Sequence, residues 1–116
     1  MSGRVDINTT LKIIDAGDAS ANITSSQANV PTDRATFEFN VTGSPVGTVQ
    51  VQGTVSESNW TNLPMVGDDG IPVTSIAVSA AVTHHMALKG LCNFVSLRMT
   101  YTFTSGTGTV NAWIRQ

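Results

Sequence analysis

The feature that most constrains the fold is a pair of alternating segments near the end of the chain, from Phe94 to Arg115. In each segment apolar and polar side chains alternate, which is the period of two expected of a strand with one buried face. The glycine-rich turn Ser105-Gly-Thr-Gly-Thr109 separates them, so we expect a closing hairpin. The predicted inward residues are Leu97, Met99, Tyr101 and Phe103 in the first strand and Val110, Ala112 and Ile114 in the second.

Further strand signals fill the middle of the chain. Residues 35–42 and 49–55 alternate in the same way on either side of Gly43-Ser-Pro45, so a second hairpin is expected there. Gly53 stands at an inward position, which indicates a bulge or the close approach of another backbone. Residues 74–82 form a weaker strand signal, and 84–91 are expected to form a loop or a single helical turn. The predicted core adds Phe37, Phe39, Val41, Val49, Val51, Ile76 and Val78.

About seven or eight short strands without a helical pattern predict an all-β chain, a single β-sandwich of jelly-roll type. We expect the sandwich domain to span residues 34–116 and to follow an extended N-terminal arm over residues 1–33. The arm is rich in Ser, Thr, Asn, Ala and Asp, and its apolar cluster at Leu11, Ile13 and Ile14 allows only a short strand. Because such a segment is mobile in isolation, the domain or a neighbouring chain is expected to hold it.

The charge pattern excludes some partners. Charged residues make up 12% of the chain, about half the usual share, and the net charge is −2. No basic run could neutralise several phosphates, so no nucleic-acid partner is expected. No secretory signal and no run of 18 apolar residues is visible, which predicts a protein made in a cytoplasm with no membrane partner. A neutral, hydroxyl-rich surface suits burial against other subunits, although a merely Thr-rich β surface is the alternative.

No pattern of catalytic or metal-binding residues stands out. His84 and His85 are adjacent and would face opposite ways on a strand, which disfavours one shared metal. Asp68 and Asp69 lack the ligand spacing of an EF-hand, and Cys92 has the apolar neighbours of a buried residue. Neither a nucleophile elbow nor a carboxylate pair is present. We therefore predict that the chain is not an enzyme and binds no metal or cofactor.

The two tryptophans, Trp60 and Trp113, allow two interpretations. Aromatic faces suit the apolar surfaces of sugars, so the pair could form a stacking platform for a glycan. Alternatively, Trp60 anchors the core of the sandwich and Trp113 anchors an interface on the outer side of a sheet. The sequence leaves both interpretations open.

Two segments carry a family resemblance. Gly47 to Met65 contains a V-x-V-x-G strand, a polar turn and N-W-T-x-L, and Val95 to Ile114 contains an R-x-x-Y-T strand that leads into S-G-T-G-T. Together these segments, about a third of the chain, resemble small virion proteins of tailed bacteriophages, notably head decoration or cement proteins. Related patterns also occur in phage tail and adsorption components.

The resemblance implies a non-enzymatic capsid decoration protein on the virion exterior that binds the major capsid protein and stabilises capsomer junctions. The low charge also favours a homo-oligomer, a dimer or a trimer. The alternative function is a carbohydrate-binding module or a β-sandwich module of the tail or adsorption apparatus. The residues expected at the contact surface are Leu11, Ile13, Ile14, His84, His85, Arg98, Trp113 and Arg115.

Overall fold

The computed structural model describes residues 10–29, 33–88, 91 and 94–115, which form twelve β-strands. None of these residues belongs to a helix long and apolar enough to cross a membrane. The strands are β1 (Thr10–Asp18), β2 (Ile23–Thr24), β3 (Ala28–Asn29), β4 (Ala35–Gly43), β5 (Val46–Thr54), β6 (Thr61–Asn62), β7 (Met65–Val66), β8 (Pro72–Val73), β9 (Ile76–Val78), β10 (Val82–Leu88), β11 (Ser96–Ser105) and β12 (Gly108–Arg115).

The strands form two antiparallel sheets that pack as a sandwich. Sheet A has the order β1-β12-β4-β10-β7-β8, and sheet B has the order β2-β11-β5-β6, with β3 also on β11 and β9 also on β5. Along the chain the long strands alternate between the sheets, since β4, β10 and β12 lie in sheet A whereas β5 and β11 lie in sheet B. This alternation is the connectivity of a jelly roll. The predicted all-β sandwich is therefore confirmed.

The core lies between the two sheets and follows the predicted alternation. Phe37 and Phe39 of β4 contribute the largest buried rings from sheet A, and Tyr101 of β11 contributes the largest from sheet B. Each fully buried large apolar side chain stabilises the fold by roughly 1.5–3 kcal/mol. Of the predicted core residues, Ile76 and Phe103 are only partly buried and the others are buried.

Neither predicted hairpin forms, because each turn carries the chain from one sheet to the other. β11 pairs with β5 and β12 pairs with β4, so the alternation indicated the buried face correctly but not the partner strand. The two turns lie against each other, and the Ser44 amide donates to the Thr107 carbonyl at 3.0 Å. Gly43 and Gly106 have φ of +87° and +83°, a region that suits glycine. The glycines of both turns therefore shape a corner between the sheets.

The described part of the expected N-terminal arm belongs to the sandwich. β1 is an edge strand of sheet A on β12, while β2 and β3 pair with β11 in sheet B. Register shifts interrupt β1, and the amide of Ala16, which has φ of 51°, donates to Asn111 Oδ1 at 2.8 Å. Such bulges blunt an exposed sheet edge. Residues 1–9 and 30–32 of the expected arm lie outside the described residues.

Two local expectations were also wrong. At Gly53 the register is regular, and an added Cβ would lie 2.8 Å from the Phe94 ring, so a side chain rather than a backbone fills the space. Residues 84–88 of the stretch that was expected to form a loop or a helical turn belong to strand β10 and pair with β4. The period of two in this stretch is hidden by its two histidines. Cys92 lies outside the described residues.

Candidate functional site

The solvent-facing side of sheet A, which we call face A, carries two adjacent rungs of side chains. In the first rung the register places Trp113 between Lys12 and Glu38, and Glu38 opposite His85. The second rung contains Arg115, Thr36 and Ala87. Because the side chains of Thr36 and Ala87 are small, a hollow lies beside the larger side chains of the first rung. This hollow, the Trp113 depression, has a volume of about 580 Å³ and is lined by Thr10, Thr36, Glu38, His85, Trp113 and Arg115.

The charged groups of face A are paired loosely. His85 Nε2 lies 2.9 Å from Glu38 Oε1, with side chains 63% and 39% exposed. Lys12 Nζ lies 2.9 Å from Asp15 Oδ1 and 5.3 Å from the centroid of the Trp113 ring. Exposed ion pairs of this kind contribute only about 0–1 kcal/mol. The rim of the depression can therefore rearrange around a ligand at little cost.

The opposite side of the molecule, the outer side of sheet B or face B, is built around a fixed arginine. The Arg98 guanidinium lies 4.1 Å from the centroid of the Trp60 ring, and its Nε donates to Gln52 Oε1 at 2.9 Å. Gln52 Nε2 in turn donates to Asn62 Oδ1 at 2.9 Å. Cross-strand register produces this chain, because Gln52 lies opposite both Arg98 and Asn62. Arg98 is thus oriented before any partner binds.

A third concave region lies between the β7–β8 hairpin, β9 and β10. This cleft of about 520 Å³ is lined by His84, by Asp68 and Asp69, and by apolar side chains that include Ile71. The His84 ring stacks on Phe39 at a centroid distance of 5.0 Å. His84 and His85 face opposite sides of β10, as expected of neighbours on a strand. Within the described residues no three metal-ligating side chains come together.

Within the part of the chain that the structure describes, Asp18 and Tyr101 have a shifted pKa. Hydrogen bonds from the hydroxyl and then the amide of Ser20 lower the pKa of Asp18. Burial raises the pKa of Tyr101, whose hydroxyl donates to the Ala19 carbonyl at 3.1 Å. Both groups lie at structural turns and contacts rather than in a concave site. Their shifts therefore bear on the stability of the fold.

The predicted contact residues do not share one surface. Ile13 and Ile14 are 5% and 4% exposed in the core, so they cannot meet a partner while the chain is folded. The two tryptophans lie on opposite faces and cannot form one platform, and Trp60 is not a core anchor. Glu38, Gln52 and Asn62 were missed, although the alternation already placed Glu38 and Gln52 outward. The remaining predicted residues are divided among several surfaces. Arg98 lies on face B, and His85, Trp113 and Arg115 lie on face A; His84 lies in the cleft, whose lining also includes His85, and the exposed Leu11 lies on the edge strand.

Comparison with known proteins shows a shared fold. No protein-family model matches the chain, and no curated protein matches it in sequence. The structure is similar to the SPBc2 prophage-derived protein YomS, with a TM-score of 0.69 and 12% identity over 94% of this chain and 93% of that one. It is also similar to the PBSX exported protein XepA, with a TM-score of 0.69 and 18% identity over 97% of this chain. The chain spans only 40% of XepA.

Proposed function

We propose that this chain is a non-enzymatic structural protein of a bacteriophage particle, a decoration or cement protein of the head. It binds the major capsid protein on the outside of an icosahedral shell and stabilises the junctions between capsomers. The motif resemblance supports this role, and so does the fold shared with the prophage-derived YomS. Synthesis in the host cytoplasm and residence on the capsid exterior are part of the proposal.

The observation that carries the proposal is the character of face B. The strands of sheet B contain a single charged residue, Arg98, and it is already held by Trp60 and Gln52. Protein interfaces are depleted of charge at their centre and enriched in Arg and Trp. A side chain that is ordered beforehand also loses less entropy on binding. Face B therefore has the composition and the rigidity of a surface that another protein covers.

Two exposed apolar side chains lie at one end of sheet B. Val55 and Val95 are 65% and 49% exposed, and the Val95 amide donates to the Thr54 carbonyl at 2.7 Å. Both valines therefore stand where β5 ends and β11 begins. Adjoining apolar residues of this kind add area to a protein contact surface. We assign them to the margin of the shell contact.

A partner protein that added a strand to a sheet edge would fit the structure less well than one that covers a sheet face. β1 is interrupted by register shifts, and the edge strands of sheet B are two or three residues long. Short and bulged edges disfavour addition of a partner strand. The homo-oligomer, a dimer or trimer, remains part of the proposal and would also use a face. Light scattering that finds only monomers at high concentration would contradict it.

A gene-deletion phage tests the proposed role. Heads from the phage that encodes this chain, prepared without it, should bind the purified protein saturably and then release DNA at a higher temperature. Arg98→Ala should weaken binding at least about tenfold, because it removes the oriented centre of face B. Lys12→Ala is the matched control, since it removes the cation over the other tryptophan and should bind normally. Binding to tails alone, or no binding, would contradict the proposal.

A further inference from the structure

We propose that the Trp113 depression on face A is a binding site for a saccharide. This function goes beyond the structural role, because it concerns the face opposite the proposed shell contact. The site combines an indole wall with polar groups of both hydrogen-bonding types around one hollow. Its lining, and not its volume alone, indicates the class of ligand.

The aromatic wall is available to a ligand. Trp113 is only partly buried on β12 and borders the hollow, whereas the Trp60 ring on face B is covered by the Arg98 guanidinium at 4.1 Å. Aromatic side chains with one apolar and one wet side are suited to ligands that are apolar in part. The carbon-bound hydrogens of a pyranose ring form such an apolar patch. A sugar that stacks on Trp113 would displace at most the exposed Lys12 side chain, whose Nζ lies 5.3 Å from the ring centroid.

The polar lining matches hydroxyl groups, which both donate and accept hydrogen bonds. Glu38 supplies a carboxylate acceptor, and Arg115 supplies only donors. Thr10 and Thr36 add hydroxyls that can do either. The imidazole of His85 already lies 2.9 Å from Glu38 and can share that carboxylate with a ligand. A polyol is the ligand that uses this mixture fully.

The charge balance of face A favours a neutral ligand over an anion. Along the described strands of sheet A, two cations, Lys12 and Arg115, stand against three carboxylates, Asp15, Asp18 and Glu38. A carboxylate in the lining would repel a phosphate group. The volume of about 580 Å³ lies within the range of small-molecule sites and accommodates one or two sugar rings. We therefore assign the site to a neutral hexose or N-acetylhexosamine at the end or within a glycan chain.

The site depends on small residues in the second rung. Thr36 forms part of the lining, with Ala87 opposite it on β10. A larger side chain at position 36 would occupy the hollow while leaving the core untouched, because Thr36 faces solvent. Thr36→Leu is therefore a steric test that removes no aromatic group.

The experiment uses the full chain on an array of glucose, galactose, rhamnose and N-acetylglucosamine oligosaccharides together with bacterial surface polysaccharides. Titration calorimetry with free oligosaccharide then separates binding of the sugar from retention by a polymer. At least one saccharide should bind saturably, and Trp113→Ala and Thr36→Leu should each weaken binding at least tenfold. Trp60→Ala, the matched removal of the other tryptophan, should bind as the unmodified chain does.

Two results would overturn the inference. One is the absence of saccharide binding by the unmodified chain, and the other is an equal loss in Trp60→Ala and Trp113→Ala. If Trp113→Ala does not fold, as judged by circular dichroism, Thr36→Leu and Glu38→Gln decide the result. Head binding by Thr36→Leu should remain normal, so failure of the sugar site and failure of the decoration role are distinguishable.

Discussion

Faces A and B each hold one tryptophan beneath one cation, yet the two surfaces differ in rigidity and shape. On face B, Arg98 lies 4.1 Å from the Trp60 ring and is fixed by Gln52. On face A, Lys12 lies 5.3 Å from the Trp113 ring and pairs with an exposed carboxylate. The amide side chains of Gln52 and Asn62 support the pair on face B, whereas the small side chains of Thr36 and Ala87 leave a hollow beside the pair on face A. Cross-strand neighbours, rather than the Trp and cation themselves, therefore decide what each face can bind.

The largest effect should come from the core that carries both faces. Phe39→Ala removes a fully buried ring that also supports His84, and it should lower the free energy of unfolding by about 3–5 kcal/mol. Urea titrations of two single-tryptophan variants, Trp60→Phe and Trp113→Phe, report each face separately and should give one common midpoint. Phe103→Ala should lower the free energy of unfolding by less than Phe39→Ala, because Phe103 is only partly buried. Separate midpoints would show that the faces belong to independently folding units.

The corner between the sheets should give the next largest effect. Gly106→Ala forces φ of +83° on a residue with a Cβ, which would meet the Ser44 carbonyl oxygen, and it should cost more than about 2 kcal/mol. Gly70→Ala is the matched control, because Gly70 has φ of +75° with open space around it. Gly70→Ala should lower the free energy of unfolding by only about 1–2 kcal/mol, the cost of placing a residue with a Cβ in the left-handed region. Equal costs in thermal unfolding would mean that the corner does not constrain the sheets.

A smaller effect should come from Tyr101, which links the sheets. Its hydroxyl, from sheet B, donates to the Ala19 carbonyl just after β1 of sheet A, so Tyr101→Phe should cost about 1 kcal/mol at neutral pH. Because burial raises the folded pKa of Tyr101, the unfolded chain loses this proton first, from a pH of about 10 upwards. Stability should therefore fall as the pH rises through the folded pKa. Tyr101→Phe should lack this loss, and parallel curves of urea midpoint against pH would contradict the assignment.

The smallest effects compare the two cation and tryptophan pairs directly. A double-mutant cycle on Arg98 and Trp60 should give a coupling energy of about 0.5–1 kcal/mol. The same cycle on Lys12 and Trp113 should give no more than about 0.3 kcal/mol, since the distance is longer and Lys12 is exposed. Equal coupling energies would remove the difference in rigidity between the faces.

The fold class and the buried faces could be predicted from the sequence, but the strand partners could not. Alternation assigned Leu97 and Val110 to the core correctly, because it reports which side of a strand is apolar. The same period suits any antiparallel neighbour, so both predicted hairpins were wrong. Ile13 and Ile14 are consecutive core residues at a register shift, and this break in the alternation concealed how far the short strand expected there extends as β1.

The candidate sites were predictable only as separate residues. Period two placed Trp113 and Glu38 outward, but they are neighbours only because β12 pairs with β4. Likewise, Arg98 lies beside Gln52 through the pairing of β11 with β5, and the Trp60 contact follows from the position of β6. Strand order depends on long-range packing, which one sequence does not display. The opposite placement of the two tryptophans could be seen only in the folded chain.

Cryo-electron microscopy of decorated heads tests the proposed division between the faces most directly. Deletion-phage heads saturated with the purified protein should show it on the outer shell, with Arg98 and Trp60 against the major capsid protein. The Trp113 depression should then face solvent, open to a glycan. Heads with Trp113 buried against the shell, or with the protein found only on tails, would contradict the proposed orientation and the decoration role.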